Sequence, residues 1–335
     1  MQDVVLLAHG SGGTMSRDLV ARQVLSHIAN PILSRLDDAA VLDTEGRLAF
    51  TTDSYIVDPI FFPGGDIGRL AVCGTVNDLS MVGATPVGLS LALIIEEGLP
   101  FETLDRIMAS VHSTCAEAGV EVVTGDTKVV NRGKADKLFI NTAGVGVIQN
   151  DIDISGSNAR PGDKILLNGH IAEHGIAVMT SREGLTFSSK IQSDCAPLNG
   201  IVRDLLQAAG KSVRSLRDPT RGGLATTLNE IATQSGTGIL LEEAAIPIGN
   251  NVRAACDMLG LDPLYVANEG KFVAVVAPEA AEAALSALRR HPLGTHAGIV
   301  GEVIEGRKGK VMMHTRLGPT RPLSMLTGEL LPRIC

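Results

Sequence analysis

The chain has 335 residues, 44% of them hydrophobic but only 3% aromatic, with no tryptophan and a formal charge of -8 at neutral pH. A negative chain so short of flat rings suits neither phosphate backbones nor stacked bases, which makes nucleic acid a poor candidate partner. The longest apolar run, VGLSLALII, is far shorter than the roughly 20 residues of a membrane span, and the overall length asks for two cores.

The opening residues, MQDVVLLAHGSGG, carry an acid where a signal peptide has lysine or arginine, so a cytoplasmic protein is expected. Residues 18–29 predict a helix with Leu19, Val20, Val24, Leu25 and Ile28 along one side. A strand over 46–54, ending in polar residues, precedes a helix over 67–83 and a strand over 87–95. The next helix, 100–119, buries Leu104, Ile107, Met108, Val111 and Cys115. Strands over 120–125 and 137–148 close this half. The Pro-Gly turn of ARPGDKILLNG (residues 159–169) leads into a new strand and sets a domain boundary near residue 155. Beyond it the spacing predicts helices near 197–209, 222–235 and 278–290, and strands over 237–243, 272–277 and 296–304. Periodicity stops at Leu317. The expected organisation is therefore 1–154, 155–316 and an extended, flexible tail over 317–335.

No GxxxxGK[ST] motif occurs, and no GxGxxG follows a strand. Aspartates instead mark the ends of apolar elements: Asp37, Asp38, Asp53, Asp78, Asp126 and Asp218. Singly, each reads as a turn former or helix cap. Together, carboxylates on separate elements suit magnesium, a hard cation that bridges oxygen ligands to substrate phosphates. HGSGG (residues 9–13) reads equally as a glycine turn or as a flap whose amides close over phosphate. In DPTRGGL, Arg221 and two glycines precede a helix, either as an anion-facing helix start or as a plain turn. His170 and His174 sit four apart without an evident third metal ligand, and a surface or capping role is expected for both. Cys73 and Cys115 read as core, ALRRHP as a solvated helix end, and EGRKGK as a surface hairpin. Five cysteines without CxxC spacing argue against a disulfide framework and against structural zinc. The last of them, Cys335, ends the chain, where core contacts are fewest. Ten residues of tail reach about 33–36 Å when stretched. A thiol so placed can travel.

Taken together, AHGSGG, TDSYIVDPIFFPGGDIGRLAVCGTVND, EEGLP, VTGDTKVV, DKLFINTAG, RDPTRGG, NEGK and the terminal PRIC resemble a known superfamily. It holds aminoimidazole ribonucleotide synthetases, selenophosphate synthetases and thiamine-monophosphate kinases, and the resemblance is greatest to its HypE family of hydrogenase maturation factors. The resemblance runs over essentially the whole chain. It implies two α+β domains of the PurM-like fold, the first pairing with its copy in a homodimer with a shared β-barrel, the second an α/β sandwich.

By motif match it implies ATP held with Mg2+ by Asp38, Asp53, Asp78, Asp126 and Asp218, with Asp37 beside them. Ser11, Gly12 and Gly13 match the flap, and Asn77, Gly125, Thr127 and Arg221 are the matching neighbours. The implied reaction is the ATP-dependent dehydration of a carbamoyl group on Cys335 to a thiocyanate, with Glu269 as base and Lys128 as electrostatic partner. Implied partners are a HypF-like carbamoyltransferase and a HypC–HypD-like scaffold whose iron takes the cyanide for the [NiFe]-hydrogenase centre. The tail is expected to be mobile without nucleotide. Two other readings stand beside this one. A small-molecule kinase or selenophosphate synthetase keeps the fold, although the latter wants a cysteine in the glycine loop and HGSGG has none. A metallochaperone would use Cys335 as a metal ligand.

Overall fold

The computed structural model describes residues 4–10, 13–35, 39–149, 151–185, 191–326, 331 and 333–335. Ser11, Gly12, Asp37 and Asp38 lie outside the described residues. Gly13 opens α1 (Gly13–Leu19), which runs through a π-helical turn (Val20–Leu25) into α2 (Ser26–Ile28), so the expected first helix is present with a wider centre.

The first sheet holds β1 (Arg47–Tyr55), β4 (Ala84–Glu96), β5 (Val122–Val130) and β6 (Leu138–Ile148), in the order β1-β6-β4-β5. Between β1 and β4 come the short hairpin β2 (Phe61–Phe62) and β3 (Gly65–Asp66) and then helix α3 (Ile67–Met81). Asp66 caps α3 by accepting from the Gly68 and Arg69 N–H groups, which satisfies two otherwise orphaned donors. Helix α4 (Phe101–Ala118) joins β4 to the parallel β5 and buries the predicted stripe before ending at left-handed Gly119. Both helices pack on one another, and α3 also lies against β1, β4 and β6. The sheet's alternation decides what the site receives: Thr51, Asp53 and Tyr55 of β1 turn inward, while Leu48 and Phe50 face out, Phe50 with 73% of its surface exposed.

The second sheet has seven strands: β7 (Lys164–Leu167), β8 (Val213–Arg217), β9 (Gly238–Glu242), β10 (Val273–Val276), β11 (Gly298–Ile304), β12 (Lys310–His314) and β13 (Thr320–Leu323). Their order is β13-β12-β9-β11-β7-β10-β8. It is covered on both faces. A continuous apolar strand such as β10 is the expected result, since neither side meets water. α7 (Gly223–Ser235) packs Leu224, Leu228 and Ile231 on one face. α6 (Asn199–Ala209) and α9 (Ala281–Arg290) pack Ile201, Leu205 and Leu288 on the other. α5 (Glu173–Arg182) and α8 (Asn250–Leu259) form a smaller side core with Val266. Met81, at the end of α3, inserts into the α6–α9 core and so ties the two halves together.

Several expectations need correction. Thr320–Leu323, assigned above to the tail, pairs with β12 as an edge strand. EGRKGK is no hairpin, because β9 lies between β11 and β12. α5, α8, β8 and β12 give no usable signal in the sequence. Asp78 lies inside α3 and Asp126 inside β5, rather than at element ends. Among the described residues no helix is long and apolar enough to cross a membrane.

Candidate active site

Asp53, Asn141, Arg221, Tyr265, Ile334 and Cys335 line a cleft of about 640 Å³. β1 contributes Thr52, Asp53 and Ser54 to its wall, and Tyr55, two residues from Asp53 and so on the same face, lies buried behind it. α3 brings Asp78 beneath them, fixed by the Thr51 hydroxyl, which donates to its carboxylate at 2.8 Å. The loop after β8 adds Asp218, and glycine at the left-handed Gly222 lets the chain turn directly into α7 beside Arg221.

These acids crowd one another. Burial raises the proton affinity of Asp78, and nearby Asp53 raises it further. Asp218 is pushed up to about 7, first by burial and then by Asp78. The Tyr55 hydroxyl is buried without a hydrogen-bond partner, and burial and Asp53 push its ionisation up. Such concentrated, unneutralised negative charge matches hard oxygen donors set out for a divalent cation. Among the described residues, however, no three His, Cys, Asp or Glu side chains converge as a ready-made metal site.

Glu269 is buried to 3% exposure, and its Oε1 has no partner. Burial drives its proton affinity well up, with Cys195 and the acids Asp218, Asp194 and Asp53 adding to it. The backbone around it is firmly held. Asp194 accepts from the Glu269 and Gly270 N–H groups, both at 3.2 Å, and pairs with the Lys271 ammonium at 3.2 Å. The missing Cβ of Gly270 is what lets the Asp194 backbone lie against it. Asn77 donates to the Glu269 carbonyl at 3.2 Å and accepts from Leu198 N–H at 2.8 Å.

The end of the chain closes the cleft. Ile334 is buried in the first core and Cys335 packs against it. The Ile56 N–H donates to the Cys335 carbonyl at 3.3 Å, while Arg333 reaches the Ile56 carbonyl at 3.0 Å and the Asp136 carboxylate at 2.7 Å. Burial and Glu269 push the Cys335 thiol up to about 12, against a smaller opposing pull from Arg221.

The structure therefore brings together Asp53, Asp78, Asp218, Arg221, Glu269 and Cys335, with Asn77 bracing the Glu269 loop. It does not bring Asp126 or Lys128 to them. Those two pair with each other at 2.7 Å on the exposed edge strand β5, with Lys128 61% exposed, and Lys128 holds the Asp126 carboxyl below its usual range. Gly125, Asp126 and Thr127 line a second cavity, of about 290 Å³, under the first helices. Sequence reasoning misses Tyr55, Asp194 and His174. It gives both histidines a surface or capping role, yet His174 is wholly buried, bonding Ser193 and the Ile334 carbonyl, each at 2.8 Å. His170 is half-buried and stacks on His296 at 4.1 Å.

Two family models match: "AIR synthase related protein, N-terminal domain" over residues 36–148 and "AIR synthase related protein, C-terminal domain" over 160–314. The carbamoyl dehydratase HypE of Bradyrhizobium diazoefficiens is 52% identical over 330 residues, which is 98% of this chain and 95% of that one. A crystal structure of a hydrogenase maturation protein HypE in complex with ATP superposes with a TM-score of 0.96 at 54% identity, covering 98% of this chain and 99% of the other. A HypE–HypF complex structure superposes with a TM-score of 0.82 at 45% identity, over 94% and 100% of the two chains. With half of its residues identical, and its backbone superposing, over 98% of its length, this chain belongs to the HypE family of hydrogenase maturation proteins.

Proposed function

We propose that this chain is a carbamoyl dehydratase that works on its own C-terminus, converting an S-carbamoyl group on Cys335 into a thiocyanate at the expense of ATP. The observation that carries the reading is the placement of Cys335 in one cleft with Asp53 and Arg221, close enough to the buried, unpartnered acid Glu269 to feel its charge, with Asp78 and Asp218 crowding Asp53 from behind. Relatives that bear the dehydratase name, one solved with ATP and one solved with HypF, support it.

The carbamoyl oxygen attacks the γ-phosphoryl group and ADP leaves, so the oxygen becomes part of a good leaving group. Loss of both nitrogen protons and departure of phosphate then leave –S–C≡N. A buried carboxyl with raised proton affinity is a strong acceptor once ionised, and Glu269 fits that role. The Arg221 guanidinium at the cleft offers charge to the phosphates. Asp53, Asp78 and Asp218 fit Mg2+, which when bound neutralises charge on the triphosphate. The tail seals the site around the intermediate, which must be kept from water.

The same docking makes the free thiol inert, since the nucleophile is the thiolate and burial holds Cys335 protonated up to about pH 12. Cys335 must therefore leave the cleft to accept its carbamoyl group from a HypF-like donor. It leaves again to deliver cyanide to iron on a HypC–HypD-like scaffold. Delivery in the cytoplasm suits a chain whose five cysteines are all free.

Among the described residues the first sheet leaves β1 and β5 as edge strands and exposes Leu48 and Phe50. Two copies closing these edges into a shared barrel would cover that apolar surface. Pairing β1 of one copy with β5 of the other would also carry Asp126 and Lys128 toward the neighbouring cleft.

The test is the mass of the C-terminal peptide after incubation with the carbamoyltransferase, carbamoyl phosphate and ATP. Carbamoylation of Cys335 followed by loss of one water is expected. ATP consumption with a carbamoyl group that never loses water would overturn the assignment. A kinase reading, by contrast, leaves a terminal thiol in the cleft with no task.

A further inference from the structure

We propose that His174 is a positioning residue for the dehydration: it grips the carbonyl of Ile334 and thereby fixes where the Cys335 sulfur sits. The proposal deepens the function proposed above and rests on it for its chemical meaning, though not for its geometry.

Both ring nitrogens are spoken for. Nε2 lies 2.8 Å from the Ile334 carbonyl, which can only accept, so Nε2 carries the hydrogen. Nδ1 then accepts from the Ser193 hydroxyl at 2.8 Å. Ser193 Oγ in turn accepts from Cys195 N–H at 3.1 Å, and the Ser193 N–H donates to the Pro63 carbonyl at 2.8 Å. The tautomer is thus set by a serine that is itself anchored at two points. The Phe62 ring meets the imidazole edge-on at 5.4 Å and leaves it little freedom to turn.

The neighbouring tail carbonyls are held as well. Arg182 donates to the Arg333 carbonyl at 2.7 Å, Asp58 N–H reaches the same oxygen at 3.3 Å, and Ile56 N–H takes that of Cys335. The tail is received as a guest strand, through its main chain. Among these contacts, His174 is the side chain that grips the residue next to Cys335. None of the bonds uses the sulfur, so a carbamoyl or cyano group can ride there without competing for the grip.

Backbone strain flanks the contact on both sides. Ala172, which opens α5 two residues before His174, has φ +72°, and Arg333 has φ +51°. Non-glycine residues stay in the left-handed region only where surroundings over-determine them. At Ala172 the restraint is visible: its N–H donates to the Asn268 side chain at 2.7 Å, and Asn268 also donates to the Pro219 carbonyl at 2.8 Å. Asn268 precedes Glu269 and Pro219 follows Asp218, so one amide ties the start of the gripping helix to both acids. Sulfur and carboxyls share a frame.

The bland alternative is a buried histidine that merely satisfies a core carbonyl. The two separate in the full-length protein with ATP present. The other four cysteines are buried and Cys335 is half-buried, so alkylation falls on Cys335, and because docking keeps its thiol protonated the rate reads tail undocking. His174→Phe, which keeps the ring and loses both hydrogen bonds, should raise that rate about tenfold. His174→Gln, whose amide can still donate to Ile334, should stay near the wild-type rate. Thiocyanate formation from protein already carbamoylated should slow in His174→Phe, while carbamoylation by the transferase is not slowed. Equal alkylation in wild type and His174→Phe, or a His174→Gln rate matching His174→Phe, overturns the proposal. Should His174→Phe fail to fold, Ser193→Ala, which frees the tautomer, takes its place: faster alkylation than wild type supports the grip, and an equal rate overturns it. If instead wild-type Cys335 never loses water while the alkylation ratio holds, the proposed reaction falls and the grip remains.

Discussion

Asp194 and Glu269, on two loops that meet, are both acids taken almost wholly out of water, with 1% of the Asp194 side chain and 3% of Glu269 exposed. Their surroundings differ completely. Asp194 is answered by two backbone N–H groups and the Lys271 ammonium. Glu269 faces other acids and has an oxygen with no partner. Burying an unpaired polar group costs stability, and a fold with no use for it would select against it. The contrast teaches where structure ends and chemistry begins here: the paired acid holds the loop, and the unpaired one is left for a substrate.

The contrast can be broken at either acid. Glu269→Gln removes the proton acceptor but keeps its shape, and should slow thiocyanate formation by about 10²–10⁴-fold. Stability should hold or rise, because a neutral amide needs no ionised form in that pocket. Mass analysis of the C-terminal peptide against time, together with a thermal melt, checks both halves. A normal rate removes Glu269 from the mechanism.

Asp194→Asn should do the opposite. Among the described residues it leaves Lys271 the Glu173 carboxylate, at 3.7 Å, as its one remaining ion-pair partner, and should cost about 3 kcal/mol of stability, the low end for breaking a buried ion pair. Its effect on rate per folded molecule should be smaller than that of Glu269→Gln. Denaturant unfolding measures the first and titrated single-turnover kinetics the second. If Asp194→Asn hurts chemistry more than stability, the division of labour between the two acids is wrong.

The same contrast explains what the sequence can reveal. Asp53, Asp78, Asp218, Arg221, Glu269 and Cys335 stand out because each sits in a short string whose neighbours belong to the same task. β1, α3, β4 and α4 are legible because their apolar spacing is regular. β5 is legible only as far as Gly125, since the exposed edge strand continues through polar Asp126, Thr127 and Lys128. α5 begins at a left-handed alanine and carries Gly175 in its first turn, so it offers neither a cap nor good helix propensity. Asp194 and His174 are invisible for a different reason. Asp194 acts on backbone 75 and 76 residues away, and His174 on a carbonyl 160 residues away. Main-chain partners leave no signature in side-chain identity, and only the folded chain shows them.

A second pair of regions, the inner end of β1 and the exposed edge of β5, can be compared by mixing subunits. Glu269→Gln and Lys128→Met should each be slow alone. If Lys128 serves the cleft of the other copy, a mixed dimer rebuilds one intact site, and random pairing returns up to about a quarter of wild-type activity. No recovery on mixing, with exchange of subunits verified, would place Lys128 in its own chain's site or outside the chemistry.

The smallest effect concerns pH. Burial lowers the proton affinity of His174, partly offset by Asp194 and the Ile334 carbonyl. The unfolded chain therefore takes up a proton, near the ordinary histidine value of about 6.5, that the folded chain refuses. Stability from the neutral imidazole is complete above that pH and is lost as pH falls through and below it. His174→Gln has no such proton to gain, so any melting advantage of wild type over His174→Gln should shrink between pH 7.5 and 5.5. Asp218, which titrates at about 7, falls in the same window but is common to both proteins and cancels in the difference. The Asp136–Arg333 pair on the tail does not interfere either, because Arg333 holds that carboxyl below its usual range and the pair stays ionised throughout. Parallel melting curves across the window would mean that His174 takes up its proton equally in the folded and unfolded chains. The tail carbonyl would then be held by something other than a fixed, neutral imidazole N–H.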